Sequence, residues 1–321
     1  MEDQQSFPES KFFTRNNDNT FNQTGSDKIG IIIVDVVAGF TTPASLRNTP
    51  AYNKFIQRFD VQGQGQGAGY NTFMLAPGDS GKGAARCESM IREIGKLLRH
   101  HPSAPVLTFI DAHRPDDTGR FKYDKSRDEL DKTQNEYPFP PHCVKGSEES
   151  LLDYRLAEVL KGRSNVQQLE KDCFSGFISG FHPSFDQQLY TRECNTCRCA
   201  PLNLGTVGGR RGRPRTAKKS GGGTFLNNAV LQWCLDHKIT HVVVTGICTD
   251  ICVMHLVHGL LNVVNHYDNN DLKLKRVYVY EPGTASYDAP GLGHPIEKYH
   301  LMALEMMNLV GARIINKPGN I

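Results

Sequence analysis

Thr240-His241-Val242-Val243-Val244-Thr245-Gly246-Ile247-Cys248-Thr249-Asp250-Ile251-Cys252-Val253 is a β-branched apolar run that breaks at a glycine and restarts as a helix. The part before Gly246 has the pattern of a fully buried strand. After it, Ile251, Leu256, Val257, Leu260, Leu261 and Val264 recur at helical spacing. This places Cys252 in the first turn of a helix that follows a buried strand. Free N–H groups and the positive end of the helix dipole gather there. Such a setting lowers a thiol's pKa and makes a nucleophilic thiolate. A buried structural cysteine is the plainer reading, because free Cys is among the most buried residue types. A base and a cation at neighbouring strand ends would decide between the two.

The rest of the chain supplies those neighbours. Gly30 to Val37 (Gly-Ile-Ile-Ile-Val-Asp-Val-Val) is a second buried strand with one carboxylate, Asp35, near its end. Pro105 to Ile110 is a third and ends in Asp111-Ala112-His113; a fourth near Val166 to Leu169 ends in Glu170-Lys171-Asp172. Arg276 to Tyr280 and Ala312 to Ile315 complete a set of six. Helices are expected over 84–100, Glu149 to Leu160, Phe225 to His237, the stretch after Cys252, and Glu297 to Leu309. Strands alternating with helices argue for a mainly parallel sheet covered on both faces, with right-handed crossovers. Ligands of such sheets bind beyond the carboxyl ends of the strands. Asp35, Asp111, His113, Lys171 and Cys252 all fall at that edge.

Other segments read as additions to this frame. Residues 1–27 are polar and rich in Asn, Gln and Ser, the composition of a disordered leader. The domain would then span 28–321. Residues 41–82, with Gly63, Gly65, Gly67 and Gly69, read as a long Gly/Gln-rich loop. Residues 182–223 read as an insert carrying Cys194-x-x-Cys197-x-Cys199 and the basic run Gly209-Arg210-Arg211-Gly212-Arg213-Pro214-Arg215.

Composition excludes several classes. The 321 residues carry a formal net charge of only +3, so bulk charge implies no nucleic-acid partner. No run approaches the roughly 18 apolar residues of a membrane span. The N-terminus lacks a charged-then-apolar signal pattern. Nine cysteines, an odd number without framework spacing, fit free thiols in a reducing compartment. A cytoplasmic protein without membrane partner is expected. The Arg211-Gly212-Arg213-Pro214 core matches a minor-groove arginine hook, but a solvated insert or a nuclear-import signal outweighs DNA binding. The three insert cysteines lack an evident fourth zinc ligand, so a flexible thiol-bearing loop is favoured.

Two constellations carry chemistry. A carboxylate inside an apolar strand, as Asp35 is, must be paired, since burial strips its hydration. With Lys171 and Cys252 it makes a coherent set: a cation beside a thiolate and a carboxylate to relay the proton. Asp111, His113 and His142 supply one carboxylate and two imidazoles, a donor set suited to a catalytic ion with open positions. A capping Asp with two loop histidines is the bland alternative, and spacing alone favours it.

Three blocks add a resemblance: Val34-Asp35-Val36-Val37-Ala38-Gly39-Phe40; Asp111-Ala112-His113 with Pro140-Pro141-His142-Cys143-Val144-Lys145-Gly146; and Lys171-Asp172-Cys173-Phe174-Ser175-Gly176-Phe177 with Val244 to Val253. In this order they resemble the isochorismatase-like cysteine hydrolases and, within them, plant-type nicotinamidases. The resemblance implies a three-layer α/β/α fold with strand order 3-2-1-4-5-6, and a triad on Asp35, Lys171 and Cys252. It implies a divalent metal, usually zinc, on Asp111, His113 and His142, which holds the substrate's pyridine nitrogen. A cis peptide before Cys248 would turn the N–H groups of Cys248 and Cys252 toward an oxyanion. Phe40 is the candidate to stack on the ring. Val37 stands where many members have Gln, Ala112 where many have an aromatic residue, and the 182–223 insert is foreign to the pattern. The implied activity is hydrolysis of nicotinamide to nicotinate and ammonia; a homo-oligomer is compatible with it. Two alternatives are a superfamily amidohydrolase acting on a carbamoyl or related amide and a silent protein that binds nucleic acid through the insert.

Overall fold

The computed structural model describes residues 27–47, 49–59, 82–112, 143, 146–171, 174–179, 228–266, 272–289 and 293–321. The leader up to residue 26, most of the Gly/Gln-rich stretch, the entire 182–223 insert, His113 and His142 lie outside the described residues.

Six parallel strands form one sheet: β1 (Ile29–Val34), β2 (Val106–Asp111), β3 (Val166–Lys171), β4 (His241–Ile247), β5 (Arg276–Ala285) and β6 (Arg313–Ile315), in the order β3-β2-β1-β4-β5-β6. This is the order that the resemblance implied. Successive side chains of a strand point to opposite faces, and β1 feeds two cores in that way. Ile32 and Val34 join one apolar cluster with Phe109, Val244 and Leu256; Ile31 and Ile33 join the other with Ile94, Leu97 and Val243. Each such aliphatic side chain, fully removed from water, contributes about 1.5–3 kcal/mol of burial free energy.

The helices that cover the faces are α4 (Lys82–His100), α5 (Tyr154–Leu160), α7 (Ala229–Asp236), α8 (Met254–His266) and α9 (Ile296–Leu309). Shorter helices among the described residues are α1 (Ala38–Thr41), α2 (Ala44–Arg47), α3 (Pro50–Ile56) and α6 (Gly176–Ser179). The start of the expected 41–82 loop is therefore helical in part. Thr49 caps α3 by accepting from the Tyr52 N–H, Pro50 takes the first helical turn, and Tyr52, Phe55 and Ile56 bury one side. The helix expected from Glu149 to Leu160 is also split. Glu148–Ser150 makes a single 3-10 turn, Leu152 bridges Val37, and Asp153 starts α5 by accepting from the Arg155 N–H. Strand β5 runs past its expected end at Tyr280, and its register with β4 shifts between Val244 and Gly246.

Gly246 lies directly beside Val34 in the β1–β4 register. Its φ is +115°, and a Cβ there would sit 2.0 Å from the Val34 carbonyl oxygen. No L-residue fits both the angle and the space. Gly246→Ala is expected to cost about 3 kcal/mol or more of stability. Urea unfolding followed by the fluorescence of the buried Trp233 measures it, and an unchanged midpoint would refute this account.

Candidate active site

The site begins with register. Asp111 and Lys171 are direct partners on β2 and β3, the last residues of both strands. Their side chains meet at the carboxyl edge, with Lys171 Nζ 3.1 Å from Asp111 Oδ1. Asp35 arrives from β1. It is the first residue past the strand, and its φ of +52° turns the chain out of the sheet plane. The turn is pinned: the Asp35 N–H donates to the Phe109 carbonyl, the Val37 N–H to the Asp35 carbonyl, and the Asp153 N–H to the Val36 carbonyl. Asp35 Oδ2 then lies 2.7 Å from Lys171 Nζ, with both side chains essentially sealed from solvent.

Cys252 comes from the far side of β1. After β4 the peptide bond between Ile247 and Cys248 is cis, as the resemblance implied. Residues Thr249–Val253 form a π turn before α8 begins at Met254. The Cys248 carbonyl accepts from the N–H groups of Ile251 and Val253, the two neighbours of Cys252. Cys252 is thus in the first turn after the strand, but that turn is wider than an α turn. Its sulfur is 3.5 Å from Lys171 Nζ. One ammonium therefore touches Asp35, Asp111 and Cys252 at once.

The electrostatics correct one expectation. The thiolate was expected to be favoured by the helix start and by Lys171. Instead, burial pushes the Cys252 thiol well above its ordinary range; Lys171 opposes this, while Asp35 and Asp111 add to it. Two carboxylates and a dry setting outweigh one cation. Burial also raises Asp35, against the pull of Lys171, to about 6. Burial works against the Lys171 charge, but Asp111 and Asp35 more than compensate and hold it well above the usual lysine value. Near neutral pH the group is a carboxylate, an ammonium and a neutral thiol.

Phe40 is buried on α1, in the apolar cluster that also holds Cys143 and Cys248. Its short helix is fastened from α5. Asp153, fully buried, accepts from the hydroxyls of Thr41 and Thr42 at 2.8 Å each, and Arg155 donates to the Thr41 carbonyl. Sequence reasoning passed over Asp153 and Arg155. Asp153 pairs with Arg155 two residues on, but the threonines and the carbonyl that the two residues hold lie more than a hundred residues away in sequence.

Among the described residues no three ligating side chains gather for a metal. Asp111 is described, whereas His113 and His142 are not. The described charges nevertheless suit a cation. Two carboxylates, one ammonium and a neutral thiol sum to one negative charge in a buried setting, which a divalent ion on Asp111 would offset. Carboxylate and imidazole donors fit zinc.

The sheet order is the one that the resemblance implied, and three strand ends plus the turn after β4 meet at one ammonium. No family model matches the chain. It is 27% identical over 301 residues to Nicotinamidase 1 of Arabidopsis thaliana, covering 90% of this chain and 86% of that protein. Among solved structures, nicotinamidase PncA from Bacillus subtilis aligns over 90% of this chain and 100% of its own, at 18% identity and a TM-score of 0.45. The pyrazinamidase of Pyrococcus horikoshii in complex with zinc aligns over 90% and 99%, at 13% identity and a TM-score of 0.44. The chain is similar to a plant nicotinamidase over most of its length, as its motifs suggested.

Removing the cation tests the electrostatic account. Lys171→Met removes the ammonium that two buried carboxylates share, and about 3–5 kcal/mol of stability should be lost at neutral pH. Urea midpoints of the two proteins measure it. A midpoint equal to that of the unmodified protein would mean that the three groups are not coupled.

Proposed function

We propose that this chain hydrolyses nicotinamide to nicotinate and ammonia through a thioester on Cys252. The observation that carries the reading is the contact of one buried ammonium, Lys171, with both Asp35 and the Cys252 sulfur, at 2.7 and 3.5 Å. The similarity to a plant nicotinamidase selects the substrate.

In this reading Asp35 is the base. Its carboxylate takes the thiol proton as the Cys252 sulfur bonds to the carboxamide carbon. The carbonyl oxygen gains negative charge, which the N–H groups of Cys248 and Cys252 receive. Asp35, now protonated, gives that proton to the leaving nitrogen as the carbon–nitrogen bond breaks and ammonia departs. Water then loses a proton to Asp35, adds to the thioester carbon and frees nicotinate, and the proton returns to Cys252. Lys171 stays charged throughout and offsets whichever neighbour is anionic. A poised carboxylate with a pKa near 6 suits both proton transfers. Asp111, His113 and His142 would hold the zinc ion, which when bound supplies a coordination point for the pyridine nitrogen. Phe40 would face the ring. The five described cysteines are free and buried, which favours a reducing, cytoplasmic setting; no helix among the described residues is long and apolar enough to cross a membrane.

Ammonia release from nicotinamide, with and without a chelator, tests the substrate and the metal together. Release that survives chelation would argue for a metal-independent superfamily amidase. Cys252→Ala should abolish release yet still bind nicotinamide, whereas Cys248→Ala, which keeps its backbone N–H, should retain substantial activity. The reverse pattern would move the nucleophile to Cys248.

The pH profile follows from Asp35. Its raised pKa means that it protonates on acidification through about 6. A protonated Asp35 cannot accept the thiol proton, so kcat/KM should be full above that pH and fall about tenfold per unit below it. A flat profile from pH 7 to 5 would exclude Asp35 as the base.

A further inference from the structure

The turn that carries both cysteines is gripped from outside the triad by two histidines. His300, on α9, is 2% exposed. Its Nε2 lies 2.7 Å from an Arg86 guanidinium nitrogen, and its Nδ1 lies 2.9 Å from Thr249 Oγ1. Nε2 also lies 3.6 Å from Glu281 Oε1; the nearer partner is the arginine, which can only donate, and this contact makes Nε2 the acceptor and puts the hydrogen on Nδ1. His300 therefore donates to Thr249, the residue after Cys248. Arg86 is itself fixed, donating to Glu281 Oε1 at 3.0 Å. The sequence Arg86, His300, Thr249 thus runs from α4 through α9 into the turn.

The second grip falls on the next residue. Asp250 accepts from the Ser286 hydroxyl through one oxygen, and its other oxygen lies 2.7 Å from His294 Nε2. The opposite nitrogen of His294 lies 3.2 Å from the Tyr287 carbonyl oxygen. Both partners are acceptors, and the ring faces one of them with each nitrogen. Tyr287 and Tyr299 stack on its two faces at centroid distances of 3.8 and 4.0 Å. The ring therefore has neither a free edge nor a free face along which to move.

Neither histidine touches Asp35, Lys171 or the Cys252 sulfur in the contacts above, and yet two successive residues between Cys248 and Cys252 are held by them. We propose that His300 is a positioning residue that keeps the N–H groups of Cys248 and Cys252 aligned on one point, in a turn that His294 braces at the next residue. This rests on the oxyanion role given to those N–H groups in the preceding reading. Misplacement of a catalytic geometry by even about 1 Å can cost about 100-fold, so a turn of this kind has reason to be held at two side chains rather than by its backbone alone.

Kinetics and labelling test it on the full-length protein. His300→Ala should lower kcat about 10–100-fold with KM little changed, because alignment is needed in the transition state more than in binding. His300→Asn puts an amide N–H near the place of Nδ1 and should recover most of that loss, which a histidine that only filled space would not show. Thr249→Val removes the acceptor at similar volume; it should lower kcat by a similar factor, and in that background His300→Ala should cost little more. Iodoacetamide labelling of the buried Cys252, read by mass spectrometry, should quicken in His300→Ala and return to the original rate in His300→Asn. Labelling needs no substrate. If the unmodified protein released no ammonia from nicotinamide while labelling followed this pattern, the substrate reading would fall and the positioning role would stand. Full kcat in His300→Ala, equal losses in the Ala and Asn variants, or additive losses in the double variant would overturn the proposal.

Discussion

The ammonium of Lys171 lies between two carboxylates, and the carboxyl edge of the sheet is arranged around it. Lys171 and Asp111 face each other because β2 and β3 pair in register to their last residues. Asp35 reaches the same nitrogen because the chain leaves β1 in a left-handed conformation. Burial of three charges is not a stabilising arrangement in itself, since desolvation consumes most of the Coulombic gain. Apolar residues of the same size would hold these strands as well. The charges are better understood as a requirement of the site that the surrounding core must support, with Ile31, Ile32, Ile33 and Val34 fully buried next to them.

The same crowding decides where the protons rest. A lone lysine beside a cysteine would favour the thiolate, but here two carboxylates share that lysine. The thiol keeps its proton, and Asp35, on the same ammonium, has a pKa near 6. Activation is thereby deferred until the proton has a use. A carboxylate poised close to neutrality can take a proton and return it within one cycle, whereas one at the ordinary aspartate value would be a poor donor to a leaving amine. In this view Asp111 has two jobs: it raises its neighbours by its charge, and it offers a ligand to a cation that would relieve that charge.

How much of this was legible in the sequence depends on the kind of information. The strands were, because continuous β-branched runs such as Ile31–Val34 and Val242–Val244 have few other uses. The convergence of Asp35, Lys171 and Cys252 was, because open parallel sheets gather strand ends at one edge. The bridging of Asp35 and Asp111 by Lys171 was not. It requires the β2–β3 register, and the resemblance had given Asp111 to a metal. The protonation state was not legible either, since it is a balance among burial and three charges, none of which is local in sequence. His300 sits on the buried side of an amphipathic helix, where a histidine reads as one more core residue. Only its partners Thr249 and Arg86 distinguish it, and they come from different elements. Asp250 stood inside the deciding stretch and carried a usable signal: a carboxylate in an otherwise apolar turn needs a partner.

The described ends of the connection between β3 and β4 are fastened to each other. Just before the excursion, α6 carries Phe177; just after it, Asn228 caps α7 by accepting from the N–H groups of Val230 and Leu231. The Asn228 amide also donates to the Phe177 carbonyl at 2.8 Å, and the residue is fully buried. One side chain therefore fastens the two ends of the connection to each other, whatever lies between them. Phe177 is in turn pressed against Gly259 of α8, where a Cβ would come within 2.5 Å of its ring. The glycine lets the base of the connection pack onto the helix that follows Cys252. Closing a longer loop between fixed ends costs only about 0.6 kcal/mol for each doubling of length. The length of this connection can therefore vary without disturbing the register that brings Asp35, Lys171 and Cys252 together, because Asn228, Phe177 and Gly259 set its ends.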